Sequence, residues 1–245
     1  MIAIAAWTHV GLVRERNEDA VALPGILLLG SPATPAATVL SPPEPGEGAH
    51  TIAVVDGMGG HAGGAEASRL AALRLTGTRG EIEEALISIN AALYEEMERH
   101  PDLRAMGATV AGVQIAAGSV EVFNVGDARA YTHIGGYTTV TSVDDRSETG
   151  SGEITQSLGG TPEPTRFLVH RHSISFDDLP LPLRLMLCSD GLSEYVSFNA
   201  IQDTLDIVDA VEAVGRLVAL ALEVGAPDNV SVAIVDFGDL RHGFA

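Results

Sequence analysis

Hydrophobic positions along the chain fall into two kinds of block. Residues 2–7 are a short apolar run that reads as a strand. Residues 21–29 read as a second strand, interrupted at Pro24-Gly25, and residues 51–55 as a buried third. From 61 to 78 the period lengthens, with Ala67, Leu70, Ala71 and Leu75 on one helical face. A second helix is predicted over 81–99, where Ile82, Leu86, Ile89, Leu93 and Met97 step by three or four until Pro101 ends the pattern. Strand character then returns. The runs 109–116, 119–125, 128–134 and 137–143 are separated by Ala117-Gly118, Gly126-Asp127 and Gly135-Gly136, the spacing of antiparallel hairpins. Leu158-Gly159-Gly160-Thr161-Pro162 reads as a turn, and 166–175 and 184–188 as strands. Ile207, Val211, Val214, Val218 and Ala221 mark one long helix, followed by a last strand at 230–237.

Residues 31–48 are rich in Pro, Ala and Gly and show no period, so an exposed loop is expected over 31–50. The helical block lies between strand blocks, with no internal repeat and no linker. This predicts one α+β domain over residues 1–245 rather than two domains. Composition narrows the function. The 245 residues are 46% hydrophobic, enough for a large core, and the net charge is −19 with 33 acidic and 14 basic residues, every basic one an Arg. That balance excludes nucleic acid as the principal partner, because phosphate backbones are bound by basic patches. The single cysteine, Cys188, precludes an internal disulfide and suits a reducing compartment; in an apolar run, it reads as a buried structural thiol. The N-terminus lacks the basic segment of a signal peptide, and no apolar run is long enough to span a bilayer. A cytoplasmic location with no membrane association is expected.

The candidate chemistry is acidic. The strand 51–55 delivers Asp56 into the glycine-rich turn Gly57-Met58-Gly59-Gly60-His61-Ala62-Gly63-Gly64. Glycines let the main chain approach closely, and Gly57 can lend a carbonyl oxygen. No Gly-Lys-Ser/Thr follows, so this is not a P-loop. Asp19, Asp127, Asp190 and Asp228 share the design: each lies at a junction beside Gly or Asn, next to an apolar run. One such acid is readily explained as a local turn or cap residue; five are not. If the strands pack into sheets, these ends can converge, and carboxylates in one cleft raise each other's pKa. Divalent cations resolve that conflict. Oxygen-only ligation points to Mg²⁺ or Mn²⁺ rather than Zn²⁺. Two such ions bridged by a water supply a hydroxide nucleophile and clamp a phosphoryl oxygen. His170 and His172 alternate and read as exposed strand histidines.

Seven stretches occur in an order that resembles the metal-dependent serine/threonine protein phosphatases of the PPM, or type 2C, class in their bacterial form. They are GLVRERNED (11–19), VVDGMGGHAGG (54–64), MGATV (106–110), NVGDARAY (124–131), ITQSLGG (154–160), CSDGLSEYV (188–196) and APDNVSVAIV (226–235). The resemblance implies a four-layer α-β-β-α sandwich: two antiparallel sheets, helix pairs outside, metals at one edge. It implies two ions, with a third possible. Asp56 would bridge two of them and the Gly57 carbonyl would ligate one, while Asp190 and Asp228 would hold the other. Asp19, supported by Glu18, would bind a metal or its water, and Asn229 would support the site. Arg14 would grip the substrate phosphate through its planar donor pair. Asp127 and Glu194 fall where many bacterial members hold a third, weaker metal, and His61 would be the general acid. The implied reaction is hydrolysis of phosphoserine or phosphothreonine on proteins, by in-line attack of the metal-bridging hydroxide without a phosphoenzyme. The implied partners are phosphorylated proteins, among them a Ser/Thr kinase or its substrates, and a monomer is expected.

Departures from the family pattern are the Gly126-Asp127-Ala128-Arg129 and Gly107-Ala108-Thr109 stretches, each short of one hydroxyl. Asp145-Arg146-Ser147 lacks the usual histidine, and the flap at 145–158 is shortened. Two other readings stay open: a non-catalytic phosphoprotein-binding regulatory module on this fold, and a small-molecule phosphoesterase.

Overall fold

The computed structural model describes residues 1–59, 62–147 and 153–238. One antiparallel sheet has the order β4-β1-β13-β12-β8-β9. Its strands are β1 (Ile2–His9), β4 (Ala36–Leu40), β8 (Arg129–Ile134), β9 (Tyr137–Val140), β12 (Leu183–Cys188) and β13 (Val230–Phe237). The other runs β11-β7-β6-β5-β2-β3, with β10 paired to β6 off that path. It contains β2 (Asp19–Leu23), β3 (Ile26–Leu29), β5 (His50–Met58), β6 (Gly107–Ala116), β7 (Ser119–Val125), β10 (Leu158–Gly159) and β11 (His170–Ser175).

The central strands are apolar on both faces because each face is covered. In β5, Ile52 and Val54 enter the core between the sheets, whereas Ala53 and Val55 face α1 (Gly63–Thr76) and α2 (Ile82–Arg99). In β13, Ala233 and Val235 lie between the sheets, and Val232 and Ile234 face α4 (Phe198–Leu205) and α5 (Ala210–Glu223). The two-residue period of a strand thus lets each run serve two apolar layers, and the two sheets together build three. All five expected stripe residues of α2 are buried. In α1, Ala67, Ala71 and Leu75 are buried, and Leu70 packs at the margin.

Some expectations need correction. The exposed loop at 31–50 contains β4, which pairs with β1 from Ile2↔Leu40 to Ala6↔Ala36. Flanking prolines hide this five-residue edge strand, whose half-buried alternation is easily missed. Residues 21–29 are a hairpin, not one strand, because Pro24-Gly25 forms its turn. The expected turn at 158–162 begins with a short pairing of Leu158↔Ala108 and Gly159↔Gly107. The predicted C-terminal helix is α5, which begins at Ala210 rather than at Ile207; the separate α4 before it was not expected. Ser197 caps α4, accepting from the Ala200 amide, and Asp209 caps α5, accepting from the Glu212 amide at 2.8 Å. Ile207 lies in the turn between them. Its carbonyl, with those of Leu205 and Val208, accepts from the buried guanidinium of Arg184, which also holds Asp236 through two 2.7 Å bonds.

Candidate active site

Antiparallel pairing places Asp19, at the start of β2, directly opposite Asp56 near the end of β5. Directly opposed residues on neighbouring strands share a face, so two of the five aspartates meet through register alone. The second sheet contributes two more. Asp190 opens α3 (Asp190–Ser193) just after β12, and Asp228 precedes β13. A hydroxyl joins the sheets: Ser189 Oγ donates to Asp19 Oδ2 at 2.8 Å and accepts from the Ser231 amide at 3.0 Å. Glu18, Asp56, Gly57, Asp190 and Asp228 then line one pocket of about 580 Å³, with Arg14 at its mouth.

Close backbone approach makes this convergence possible. A Cβ on Gly191 would lie 1.8 Å from the Asn229 carbonyl oxygen, and one on Gly57 would lie 2.1 Å from that of Gly64. Both positions require glycine for space alone. Asn229 fastens the loop carrying Arg14. Its Oδ1 accepts from the Glu18 amide at 2.8 Å, and its Nδ2 donates to the carbonyls of Val10 at 2.8 Å and Arg16 at 2.9 Å.

The electrostatics are those of crowded acids. Burial and then the neighbouring aspartates push Asp56 well above the usual carboxylate range. Burial pushes Asp19 up to about 6, against the hydroxyls of Ser231 and Ser189. Asp190 is raised to about 7 by burial, then by Asp127, Asp19, Asp228 and Glu194. Thr109, opposite Asp56 in register and lining the same pocket, has a buried Oγ1 with no hydrogen-bond partner among the described residues. Buried acids without enough counter-charge, an orphaned hydroxyl and an all-oxygen donor set fit hard divalent cations. Among the described residues, no three acidic, histidine or cysteine side chains stand gathered as a finished coordination sphere. Arginines engage part of the set instead. Arg14 Nη2 donates to Asp228 Oδ2 at 2.7 Å, so the expected phosphate grip and an expected metal ligand are partners here.

The second pair, Asp127 and Glu194, is brought together around Arg146. That guanidinium donates to Asp127 Oδ2 from Nε at 2.8 Å and from Nη2 at 2.7 Å, pairs with Glu194 through Nη1, and lies 3.7 Å from Asp190 Oδ2. Sequence reasoning noted position 146 only for the histidine it lacks. The available signal was a new cation beside a stretch of acids. Asp145, its neighbour, accepts from the Gly126 amide at 2.8 Å and from Gln156 Nε2 at 2.6 Å, and pairs with His170 Nε2 at 2.9 Å. His170 is therefore half-buried and engaged, whereas His172 is exposed as expected. Cys188 is fully buried, and burial raises its thiol to about 12, which leaves no nucleophile. The expected general acid, His61, and flap residues 148–152 lie outside the described residues.

The protein phosphatase 2C family profile matches residues 44–223, and the chain belongs to that family. It is 30% identical to the serine/threonine protein phosphatase PstP of Mycobacterium tuberculosis over 99% of this chain, spanning 46% of that protein. The serine/threonine phosphatase stp of Listeria welshimeri is 28% identical, over 78% of this chain and 86% of its own length. The crystal structure of Mycobacterium tuberculosis PstP superposes with a TM-score of 0.77 at 27% identity, covering 98% of this chain and 100% of that one. The PstP catalytic domain in complex with two manganese ions gives 0.76 at 28% identity and the same coverage. The two-sheet fold read from the motifs is that of these structures. Among the described residues, no helix is long and apolar enough to cross a membrane.

Proposed function

We propose that this chain is a single catalytic domain that hydrolyses phosphoserine and phosphothreonine on proteins in a Mg²⁺- or Mn²⁺-dependent reaction. The observation that supports this best is the meeting of Asp56, Asp190 and Asp228, from two sheets, in one pocket with Arg14 at its mouth and Asp19 opposite Asp56 in register. Asp56, the Gly57 carbonyl, Asp190 and Asp228 would hold two ions. When bound, such ions lower the pKa of water and polarise phosphoryl oxygens.

The chain's own groups do the rest. Asp19, held from beneath by Ser189, keeps an acceptor fixed at the metal site. Arg14, its side chain 54% exposed, keeps donors free for a phosphate while one donor holds Asp228. A guanidinium suits that task because its planar fork matches two phosphate oxygens. His61 protonates the leaving serine or threonine oxygen. Cys188 takes no part. In this reading the protein acts as a cytoplasmic monomer on phosphorylated proteins, a Ser/Thr kinase or its substrates among them.

The test is phosphate release from a phosphothreonine peptide, with and without Mn²⁺, for wild type beside Asp190→Asn. Metal-dependent turnover should fall by more than the roughly 10–100-fold typical of losing a residue behind the ligands. A folded, Mn²⁺-loaded wild type without turnover would indicate a binding module. Preference for small phosphoesters over phosphopeptides would reassign the substrate class.

A further inference from the structure

Asp127 and Glu194, where the family resemblance puts a third metal, already surround a cation of the chain itself. Arg146 has two nitrogens on Asp127 Oδ2, a third against Glu194 Oε1, and its Nη2 3.7 Å from Asp190 Oδ2. Asp127 is buried, with a side chain 2% exposed, while that of Arg146 is 26% exposed. A divalent ion on Asp127 and Glu194 would have to expel a guanidinium making charge-assisted bonds to both. It would also have to sit beside that positive charge once displaced.

The backbone makes displacement harder. Arg146 bridges Ile154, the Ser147 amide donates to the Glu153 carbonyl at 2.9 Å, and the Thr155 amide donates to the Asp145 carbonyl at 2.7 Å. The Asp145 amide donates to the Gly126 carbonyl at 3.0 Å, beside Asp127. Asp145, through Gly126, Gln156 and His170, ties this segment to the β7–β8 turn, the returning chain and β11. The arginine therefore stands on a braced base, next to the acids it neutralises. The residues at this position do not fit a metal ion.

We propose that Arg146 is a built-in cation in place of a third metal, so that the protein takes two divalent ions and not three. Through Asp127, Glu194 and Asp190, Arg146 acts as a positioning residue for the neighbouring ion site. This rests on the metal-dependent reading above. Bound Mn²⁺ per chain is to be counted at saturation, by calorimetric titration and by elemental analysis after desalting into Mn²⁺ buffer. The proteins are wild type, Arg146→Ala, Arg146→Met and Arg146→Ala/Asp127→Asn, each checked for cooperative melting. Expected are two ions for wild type, three for whichever single variant melts cooperatively, and two again for the double variant. Three ions in wild type, or two in a folded single variant, overturns the proposal alone. No bound Mn²⁺ in wild type overturns the metal-dependent reading, and this proposal with it.

Discussion

Asn229 offers a sharp test of how the loop carrying Arg14 is held. The residue is 5% exposed, and its side chain makes three hydrogen bonds to main-chain groups: the Glu18 amide and the carbonyls of Val10 and Arg16. Truncation in Asn229→Ala removes all three. Each is worth about 0.5–1.5 kcal/mol net, and an abandoned buried partner adds about 1–3 kcal/mol unless water reaches it. Water can enter from the neighbouring pocket, so a loss of about 3 kcal/mol is expected. For a chain of this size that corresponds to a melting temperature lower by about 6–12 °C. Asn229→Asp is the more telling variant. It keeps the acceptor for Glu18 but turns the donor end into an oxygen facing two carbonyls, and it adds charge beside Asp228. At neutral pH it should melt below Asn229→Ala, with the gap closing on acidification as the carboxyl regains a donor. Thermal melts by circular dichroism in EDTA measure this without metal contributions, and limited proteolysis between residues 10 and 18 reports the loop directly. An alanine variant within about 0.5 kcal/mol of wild type, the range of ordinary surface changes, would refute the claim that Asn229 fastens the loop.

Other expectations follow from the same geometry. Asp190 is raised to about 7, so in metal-free protein its contribution to stability is fully present below about pH 4 and lost as pH rises through about 7. Asp190→Asn cannot ionise, so its melting temperature in EDTA should rise relative to wild type across that window, and Mn²⁺ should reverse the order by stabilising wild type more; a pH-independent difference in EDTA would contradict the repulsion. Arg14→Ala should raise KM for a phosphopeptide by about 10-fold or more, since a charge-assisted contact to phosphate is worth about 1.5–3 kcal/mol, while Mn²⁺ stoichiometry stays at the wild-type value; unchanged KM would remove Arg14 from substrate binding. Arg184→Met leaves Asp236 and three carbonyls without their donor and should cost about 3–5 kcal/mol in urea unfolding. Adding Asp236→Leu should recover a large part of that loss, and a double variant no better than the single would show that the carbonyl contacts dominate.

Much of this architecture was legible because both faces of the central strands are buried. Runs such as 51–55 and 230–237 are mostly apolar on both faces, and their bounds survive in β5 and β13 within a few residues. The stripe of α2 is legible for the complementary reason: one face meets the sheet and the other meets water. What escaped depends on tertiary partners. β4 is a strand only because β1 has a free edge to offer it, and its own residues carry a weak alternation between prolines. The break between α4 and α5 is set by Asp209 and by Arg184 drawing three carbonyls out of the helical pattern, neither of which shows as periodicity. In the site, Asp19, Asp56, Asp190 and Asp228 were found by their shared setting at strand ends. Their convergence is expected from that setting and the family resemblance, but what brings it about, the register Asp19↔Asp56 and the Ser189 bridge between sheets, is not legible in sequence. Arg146 was read as a histidine lost, since its meaning lies in what surrounds it.

The two arginines paired with the site's acids, Arg14 and Arg146, also differ in a way that bears on function. Both sit on acids expected to serve cations, in a chain with 33 acidic and 14 basic residues, so each relieves a concentration of negative charge. Arg14 holds one carboxylate oxygen through one nitrogen, with a side chain 54% exposed and on a loop. An exposed single pair of this kind is worth about 0–1 kcal/mol, little enough for a phosphate to draw the guanidinium away. Arg146 holds two carboxylates, is half as exposed, and stands on a segment braced by Asp145. Leaving it would strand Asp127, which is buried. On the proposed function, the exchangeable arginine is the one that would meet the substrate phosphate, and the fixed one serves the protein: the crowded acids carry one weakly held cation and one that is braced in place.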